Sequence, residues 1–394
     1  MPDLENDPRL DPRVKWALRN VPVTNLTDVD SRETLLEISN HPKAVAMREK
    51  GAALYDALDT EEVASSDGLS ITVHEFTSAP DGNTIKIRYV RPDVDRQGNT
   101  VLPCVYYIHG GGMQNGSAFD ALYRIWARVL AAEGLAVAMV DFRNAVTPSS
   151  APEVEPFPAG LNDCVSGLRW LVANADELGI DPTHVIVAGE SGGGNLTLAT
   201  GMRLLRDGDI GLIRGLYALC PYIAGEWPQE RFPSSIENEG YLLNLHHNRG
   251  AVAYGIEHFE EGNPLAWPSH ATEGDVAGLP PTFISVNEAD PLRDEGVDFY
   301  RLLLRAGVAA QCRIVMGTSH GMDVFTPVLP DVSRQTAASI AHFAQAGSSD
   351  NSGAGAGRRL EGTPRVAPWT TKVLAAADMT RLVAVGGRVQ FREL

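Results

Sequence analysis

The run Val185-Ile186-Val187-Ala188-Gly189-Glu190-Ser191-Gly192-Gly193-Gly194-Asn195 constrains the fold more than any other stretch of the chain. Its apolar start reads as a buried strand, and the residues beyond Ser191 open a helix. A serine with glycine two places before and after it fits the G-x-S-x-G elbow, a sharp strand-to-helix turn. Side chains would crowd that bend, so glycine belongs on both sides. The turn lifts the serine oxygen above a sheet edge. The helix start then offers N–H groups and a positive dipole end to any anion forming there.

The flanking chain supplies the sheet. Leu69, Ile71 and Val73 alternate with polar residues, Pro80-Asp81-Gly82 marks a turn, and Ile85, Ile87 and Tyr89 alternate again, so an antiparallel hairpin is expected. Strand texture follows at 101–108, 135–141, 215–220, 282–286 and 311–316. Helical texture lies between, at 121–133, along Leu161, Val165, Leu168 and Leu171, and at 332–346. This alternation predicts an α/β fold, a mostly parallel central sheet with helices on both faces. Ligands bind at the carboxyl ends of such strands, where Ser191 falls.

The expected organisation is a helical segment over 1–66, then a main domain over 67–347 with a helical insertion at about 222–268. Trp227, Phe232, Tyr241, Tyr254, Phe259 and Trp267 of that insertion read first as core packing. A Gly/Ser-rich linker covers 348–360. The extension 361–394 contains a hairpin-like stretch at 382–391, to which no role is assigned.

A formal net charge of −17 argues against binding nucleic acid or an anionic membrane, and favours a neutral or cationic small-molecule substrate. No apolar run approaches the ~20 residues of a membrane span. The acidic start Met1-Pro2-Asp3-Leu4-Glu5 lacks the basic and apolar parts of a secretion signal. Cys104, Cys164, Cys220 and Cys312 are far apart in apolar surroundings, so free thiols and a cytoplasmic location are expected. There is no C-x-x-C or H-E-x-x-H spacing, and His246-His247 are adjacent loop or surface residues. No metal or cofactor is expected.

A serine nucleophile needs a base, an acid to orient that base, and donors for the oxyanion. His109-Gly110-Gly111-Gly112-Met113 directly follows the strand ending at Ile108, where glycines let backbone N–H groups face a site. Gly192 adds another N–H. Asp290, past the strand ending near Val286, is the acid candidate. Glu288 and Asp294 compete with it, Asp294 being read as the N-cap of the next helix. His320 follows the last strand and is the base candidate, which completes the order Ser, Asp, His. His270 precedes the acid, and His342 lies inside the final helix.

From about Leu69 to Ala346 the chain resembles the hormone-sensitive-lipase-like (bacterial family IV) carboxylesterases of the α/β-hydrolase fold. The resemblance rests on His109-Gly110-Gly111-Gly112, Gly189-Glu190-Ser191-Gly192-Gly193, Asp290-Pro291-Leu292-Arg293-Asp294-Glu295-Gly296 and His320-Gly321. It also rests on Asp181-Pro182-Thr183 and Gly278-Leu279-Pro280-Pro281. It implies a triad of Ser191, Asp290 and His320, with oxyanion donors on Gly111, Gly112 and Gly192. It further implies an N-terminal helical cap over the acyl pocket, short-chain ester substrates (aryl or bulky-alcohol esters included) and a homodimer. The chain departs from the family pattern at Glu190 and Gly192, where Asp and Ala are usual, at Phe142-Arg143-Asn144-Ala145-Val146, and in its C-terminal extension. An amidase or peptidase would use the same triad, and silent receptors on this fold lack the histidine. His320 behind Asp290 favours an enzyme.

Overall fold

Alternation along each strand decides the architecture. Cys104, Tyr106 and Ile108 enter one hydrophobic core while Val105 and Tyr107 enter a second, and Val185 and Val187 part from Ile186 and Ala188 in the same way. A strand apolar on both faces must be covered on both, which is what the sequence alternation requires. The computed structural model describes residues 4–19, 26–93 and 100–346. Its helices and strands run in the order α1 (Pro12–Leu18), α2 (Arg32–Asn40), α3 (Pro42–Asp56), β1 (Leu69–Thr77), β2 (Thr84–Pro92), β3 (Leu102–Ile108), α4 (Ala121–Ala131), β4 (Ala136–Asp141), α5 (Ala159–Ala173), α6 (Ala175–Leu178). There follow β5 (Ile180–Glu190), α7 (Gly192–Asp207), β6 (Gly215–Leu219), α8 (Ser234–Glu237), α9 (Arg249–Tyr254), α10 (Ile256–Glu260), α11 (Glu273–Val276), β7 (Thr282–Asn287), α12 (Arg293–Arg305), β8 (Ala310–Val315) and α13 (Pro330–Gln345).

The strands form one eight-stranded sheet in the order β1-β2-β4-β3-β5-β6-β7-β8. β1 and β2 form the expected antiparallel hairpin and β2 also runs antiparallel to β4, while the pairs from β4 through β8 are parallel. Chain order reverses about β3: β4 lies on one side of it and β5 on the other. The loops after β3 and β5 therefore part at neighbouring strand ends and open a crevice, the usual ligand position in such sheets.

One core is closed by α5, α7 and α12, through Leu161, Leu168, Leu196, Leu204, Phe299 and Leu303, and the other by α4 and α13, through Ile125, Trp126, Leu130 and Ile340. Each fully buried leucine of this kind contributes roughly 1.5–3 kcal/mol. The aromatics between β6 and β7 are mostly core: Trp227, Phe232, Tyr241, Tyr254 and Trp267 are buried, and Phe259 packs edge-on against Trp267.

The N-terminal helices lie outside the sheet. Asp11 caps α1, its carboxylate accepting from Arg13 N at 2.8 Å, and Pro12 starts the helix where its missing N–H does no harm. Ser31 caps α2, and Arg32 spans to the carbonyls of Ala145 and Val154 at 2.9 and 3.0 Å. α3 buries no residue fully, although Tyr55 meets Phe325 edge-on.

All four cysteines are free, three of them buried and Cys312 half-buried. Among the described residues, no helix is long and apolar enough to cross a membrane. The linker at 348–360 and the extension at 361–394, with its hairpin-like stretch, lie outside the described residues.

Candidate active site

Ser191 ends β5 and starts α7 at φ 58° and ψ −120°, a backbone region that a residue with a side chain enters only under constraint. The constraint is visible. Ser191 N donates to Leu219 O at 2.9 Å, and Ser191 O accepts from Asn195 N and Tyr222 N, each at 3.0 Å. A Cβ on Gly189 would lie 2.5 Å from the carbonyl oxygens of Ile108 and Gly193, so no larger residue fits there.

The glycine loop after β3 folds directly over this turn. A Cβ on Gly192 would sit 2.5 Å from Met113 N and 2.6 Å from Gly112 N, so both amides lie against the start of α7. This contact accounts for glycine at 192, where the family usually carries alanine. Gly111 and Gly112 hold positive φ, as does Met113 at 58°. The sequence reading names Gly111, Gly112 and Gly192 as donors, and the structure brings the Met113 amide to the same place. No sequence signal marks that methionine, because its contribution is a backbone N–H.

His109 and Gly110 serve the loop rather than its open face. The His109 ring is fully buried, stacked on Phe142 at 4.3 Å, with Nδ1 donating to Gly110 O at 2.8 Å. Gly110 N donates to Glu190 Oε1 and to the Tyr123 hydroxyl, each at 2.8 Å. Glu190 also takes the hydroxyls of Tyr107 and Tyr123, each at 2.5 Å. One buried carboxylate beside the serine thus ties the glycine loop after β3 to the elbow. Burial pushes the Glu190 pKa up, against the pull of those two hydroxyls. Composition and spacing gave no sign of this clamp. The departure from Asp at position 190 was the one available hint.

Asp290 and His320 leave the sheet on separate loops, after β7 and β8, and meet. His320 Nδ1 lies 2.8 Å from Asp290 Oδ2, while Asp290 Oδ1 accepts from Leu292 N at 2.9 Å. Asp290 is fully buried and His320 is 7% exposed, so water screens the pair little. Burial disfavours the imidazolium, but Asp290 outweighs it and holds His320 well above the ordinary histidine range. The Cys220 thiol stands within 4.8 Å of both groups, and burial pushes its pKa up to about 11, which leaves it a neutral thiol.

The competing acids have other work. Glu288 Oε2 accepts from Gly317 N at 2.9 Å. Asp294 is not the N-cap that the sequence suggests, because the helix starts one residue earlier, at Arg293. Its carboxylate instead accepts from Ser234 N at 2.7 Å and Arg293 Nε at 2.8 Å. Glu295 accepts from the amides of Ile223 and Ala224 and from Trp227 Nε1, fixing the loop after β6. His246 bonds to Ser235 O and His247 to Arg249 N, both outside regular structure.

A family model of the alpha/beta hydrolase fold matches residues 105–324. The chain is 33% identical over 282 residues to the carboxylesterase NlhH of Mycobacterium tuberculosis, across 70% of this chain and 83% of that protein. Among solved structures it is similar to esterase Est22, with 59% identity, a TM-score of 0.85, and coverage of 88% of this chain and 100% of the other. It is also similar to brefeldin A esterase, described as a bacterial homologue of human hormone sensitive lipase, with 35% identity, a TM-score of 0.73, and coverage of 86% and 94%.

Proposed function

This chain belongs to the hormone-sensitive-lipase-like carboxylesterases of the α/β-hydrolase fold and is a carboxylic ester hydrolase, and on that premise we propose that Ser191, Asp290 and His320 are its catalytic triad. The observation that carries the assignment is the 2.8 Å bond between His320 Nδ1 and Asp290 Oδ2. It orients the ring beside the Cys220 thiol, and the reading assigns Nε2 to Ser191, whose strained elbow stands at the same carboxyl edge of the sheet.

The reaction runs in two steps. His320 Nε2 takes the Ser191 proton as the serine oxygen attacks the ester carbonyl. The resulting oxyanion is met by the amides of Gly111, Gly112 and Gly192, with the Met113 amide beside them. The C–O bond to the alcohol breaks, and the alcohol leaves with the proton from His320. Water, activated by the same imidazole, then attacks the acyl-enzyme and frees the acid and Ser191. The substrates are small, short-chain esters, including those of aryl and bulky alcohols. The segment up to residue 66 acts as a cap over the acyl side, a reading supported by the Arg32 bonds to Ala145 and Val154.

The test uses p-nitrophenyl acetate and butyrate with a fluorophosphonate label. Ser191→Ala should lose at least about a thousandfold in kcat, together with all labelling, while the fold stays intact by circular dichroism. Retained turnover would overturn the assignment. A p-nitroanilide of matched acyl length should be turned over far more slowly than the ester, and equal rates would make the protein an amidase.

A further inference from the structure

The acid and base loops are not held together by the sheet alone. β7 and β8 end side by side, and beyond those ends Glu288 N still donates to Val315 O at 3.1 Å and Ala289 N to Thr318 O at 2.9 Å, but Asp290 and His320 lie one and two residues past the last of these bonds. Three sets of contacts reach them from the other end of the chain.

Leu10 forms a parallel bridge with Gly317, and Asp11 N donates to Gly317 O at 2.9 Å, so the N-terminal strand-like segment adds itself to the start of the His320 loop. Arg9 grips Asp7 with two nitrogens, Nη2 at 2.7 Å and Nε at 3.1 Å, and Asp7 in turn accepts the Tyr241 hydroxyl. Arg9 Nη1 also donates to Asn238 Oδ1 at 3.0 Å, and its guanidinium lies 5.8 Å from the Tyr241 ring centre. The inner faces of these two residues touch the catalytic loops. Asn238 Nδ2 donates to Asp290 O at 3.1 Å, and Tyr241 O accepts from the Ser319 hydroxyl at 3.0 Å. Asn238 and Ser319 are both fully buried, and one precedes its catalytic partner's loop as a wall while the other is the residue next to His320. Around these bonds, Leu10, Val14, Ala17 and Leu18 share a core cluster with Tyr241, Ala289, Met322 and Phe325.

The geometry points to a positioning device: Asp7 and Arg9, acting through Asn238 and Tyr241, brace the Asp290 and His320 loops and set the distance between acid and base. Asn238 carries the brace to the acid and Tyr241 carries it to the base, so one guanidinium–carboxylate pair reaches both loops and adds to the Ala289–Thr318 backbone bond between them. Its residues touch no substrate. The inference rests on the triad reading above. It adds that the N-terminal segment serves the catalytic relay as well as covering the acyl side.

The experiment compares full-length Arg9→Met and Tyr241→Phe with wild type on p-nitrophenyl butyrate, each rate being divided by the fluorophosphonate-labelled site count. Arg13→Met is the control. Arg13 Nη1 anchors α1 to Asp331 at 2.6 Å, and its Nε and Nη2 hold Asp11, so its loss loosens the helix that follows the brace while Asp7 and Arg9 keep their side chains. Small misplacements of catalytic groups lower turnover steeply, and kcat should fall about tenfold in both brace variants with KM within about twofold. The acid limb of kcat should also move to lower pH. Asp290 and Cys220 are the titratable groups acting on His320, and a slackened Asp290 contact supports the imidazolium less. Asp7 is held well below the usual carboxylate range by Arg9, so the wild-type brace stays charged throughout the scan.

A normal kcat per labelled site with an unmoved acid limb, in either brace variant, would overturn the proposal. So would an equal fall in Arg13→Met, which would mean general loosening. Should Arg9→Met fail to fold, Tyr241→Phe decides, since it removes one hydroxyl and keeps the ring. Asp290→Asn separates the two levels. If it is fully active, the triad reading falls and the brace with it. If it is inactive while both brace variants are normal, only the brace falls.

Discussion

At the proposed nucleophile, backbone sterics impose the geometry. Gly189, Gly192 and Gly193 permit the turn, Glu190 clamps the loop above it, and Ser191 is held at φ 58° by bonds from residues close by in the sheet. At the proposed acid and base, side chains from distant elements impose it. Arg9 and Asn238 bond across 229 positions of sequence, and Ser319 and Tyr241 across 78. Both halves meet at one rim, but the first is written into backbone sterics and the second into long side chains meeting in space. The first half is therefore rigid and intolerant of added atoms, whereas the second can slacken by degrees.

The largest effect that would sharpen this contrast is expected at the acid. Asp290→Asn keeps the shape but withdraws the charge that orients and supports His320, and kcat should fall on the order of 10³–10⁴. Residual activity should extend to lower pH, because the imidazole loses the partner that raises its pKa. A pH–rate profile on p-nitrophenyl butyrate reads both, and an acid limb moving upward would contradict the electrostatic account.

Next in size is a single methyl group. Gly192→Ala must push aside the amides of Met113 and Gly112, which a Cβ would approach to 2.5 and 2.6 Å. Displacing these donors should lower kcat on the order of a hundredfold with KM little changed. An alanine variant at full activity would show that the loop yields, and the proposed rigidity of this half would be lost.

The smallest effect is expected at Glu190→Gln, where an amide group replaces one of the acceptor oxygens facing Tyr107, Tyr123 and Gly110. Leaving one buried partner unmatched should destabilise the protein by about 1–3 kcal/mol. The pH dependence has a definite sign. Burial raises the Glu190 pKa, so its contribution is present below the unfolded value of roughly 4.3 and is lost as pH rises through the folded value. The Tm gap between wild type and variant should therefore narrow from pH 4 towards neutrality, and a widening gap would reverse the assignment.

The same contrast explains what the sequence disclosed. The sheet, its helical covers, the elbow and the candidates Ser191, Asp290 and His320 were legible because period-two apolar patterning and glycine at strained turns are local signals. The limits of β3, β4, β6, β7 and β8 fall within one residue of the sequence pattern, whereas β1, β2 and β5 run three to five residues beyond it. Asp294 misled because an acidic residue in a first turn looks like a cap, while the structure gives its carboxylate to Ser234 and Arg293. The Met113 amide was hidden because main-chain donors carry no residue type. Tyr107, Tyr123, Asp7 and Arg9 were hidden because their partners are set by tertiary register, which no single stretch encodes.

The bridge between Leu10 and Gly317 carries a consequence for biosynthesis. On a ribosome the serine turn can form once the central strands have emerged, but the histidine loop meets its anchor only when almost the whole domain has left the exit tunnel. Contacts this distant close late, after the loop entropy has been overcome. Products truncated before Gly317 would carry Ser191 without the base proposed for it.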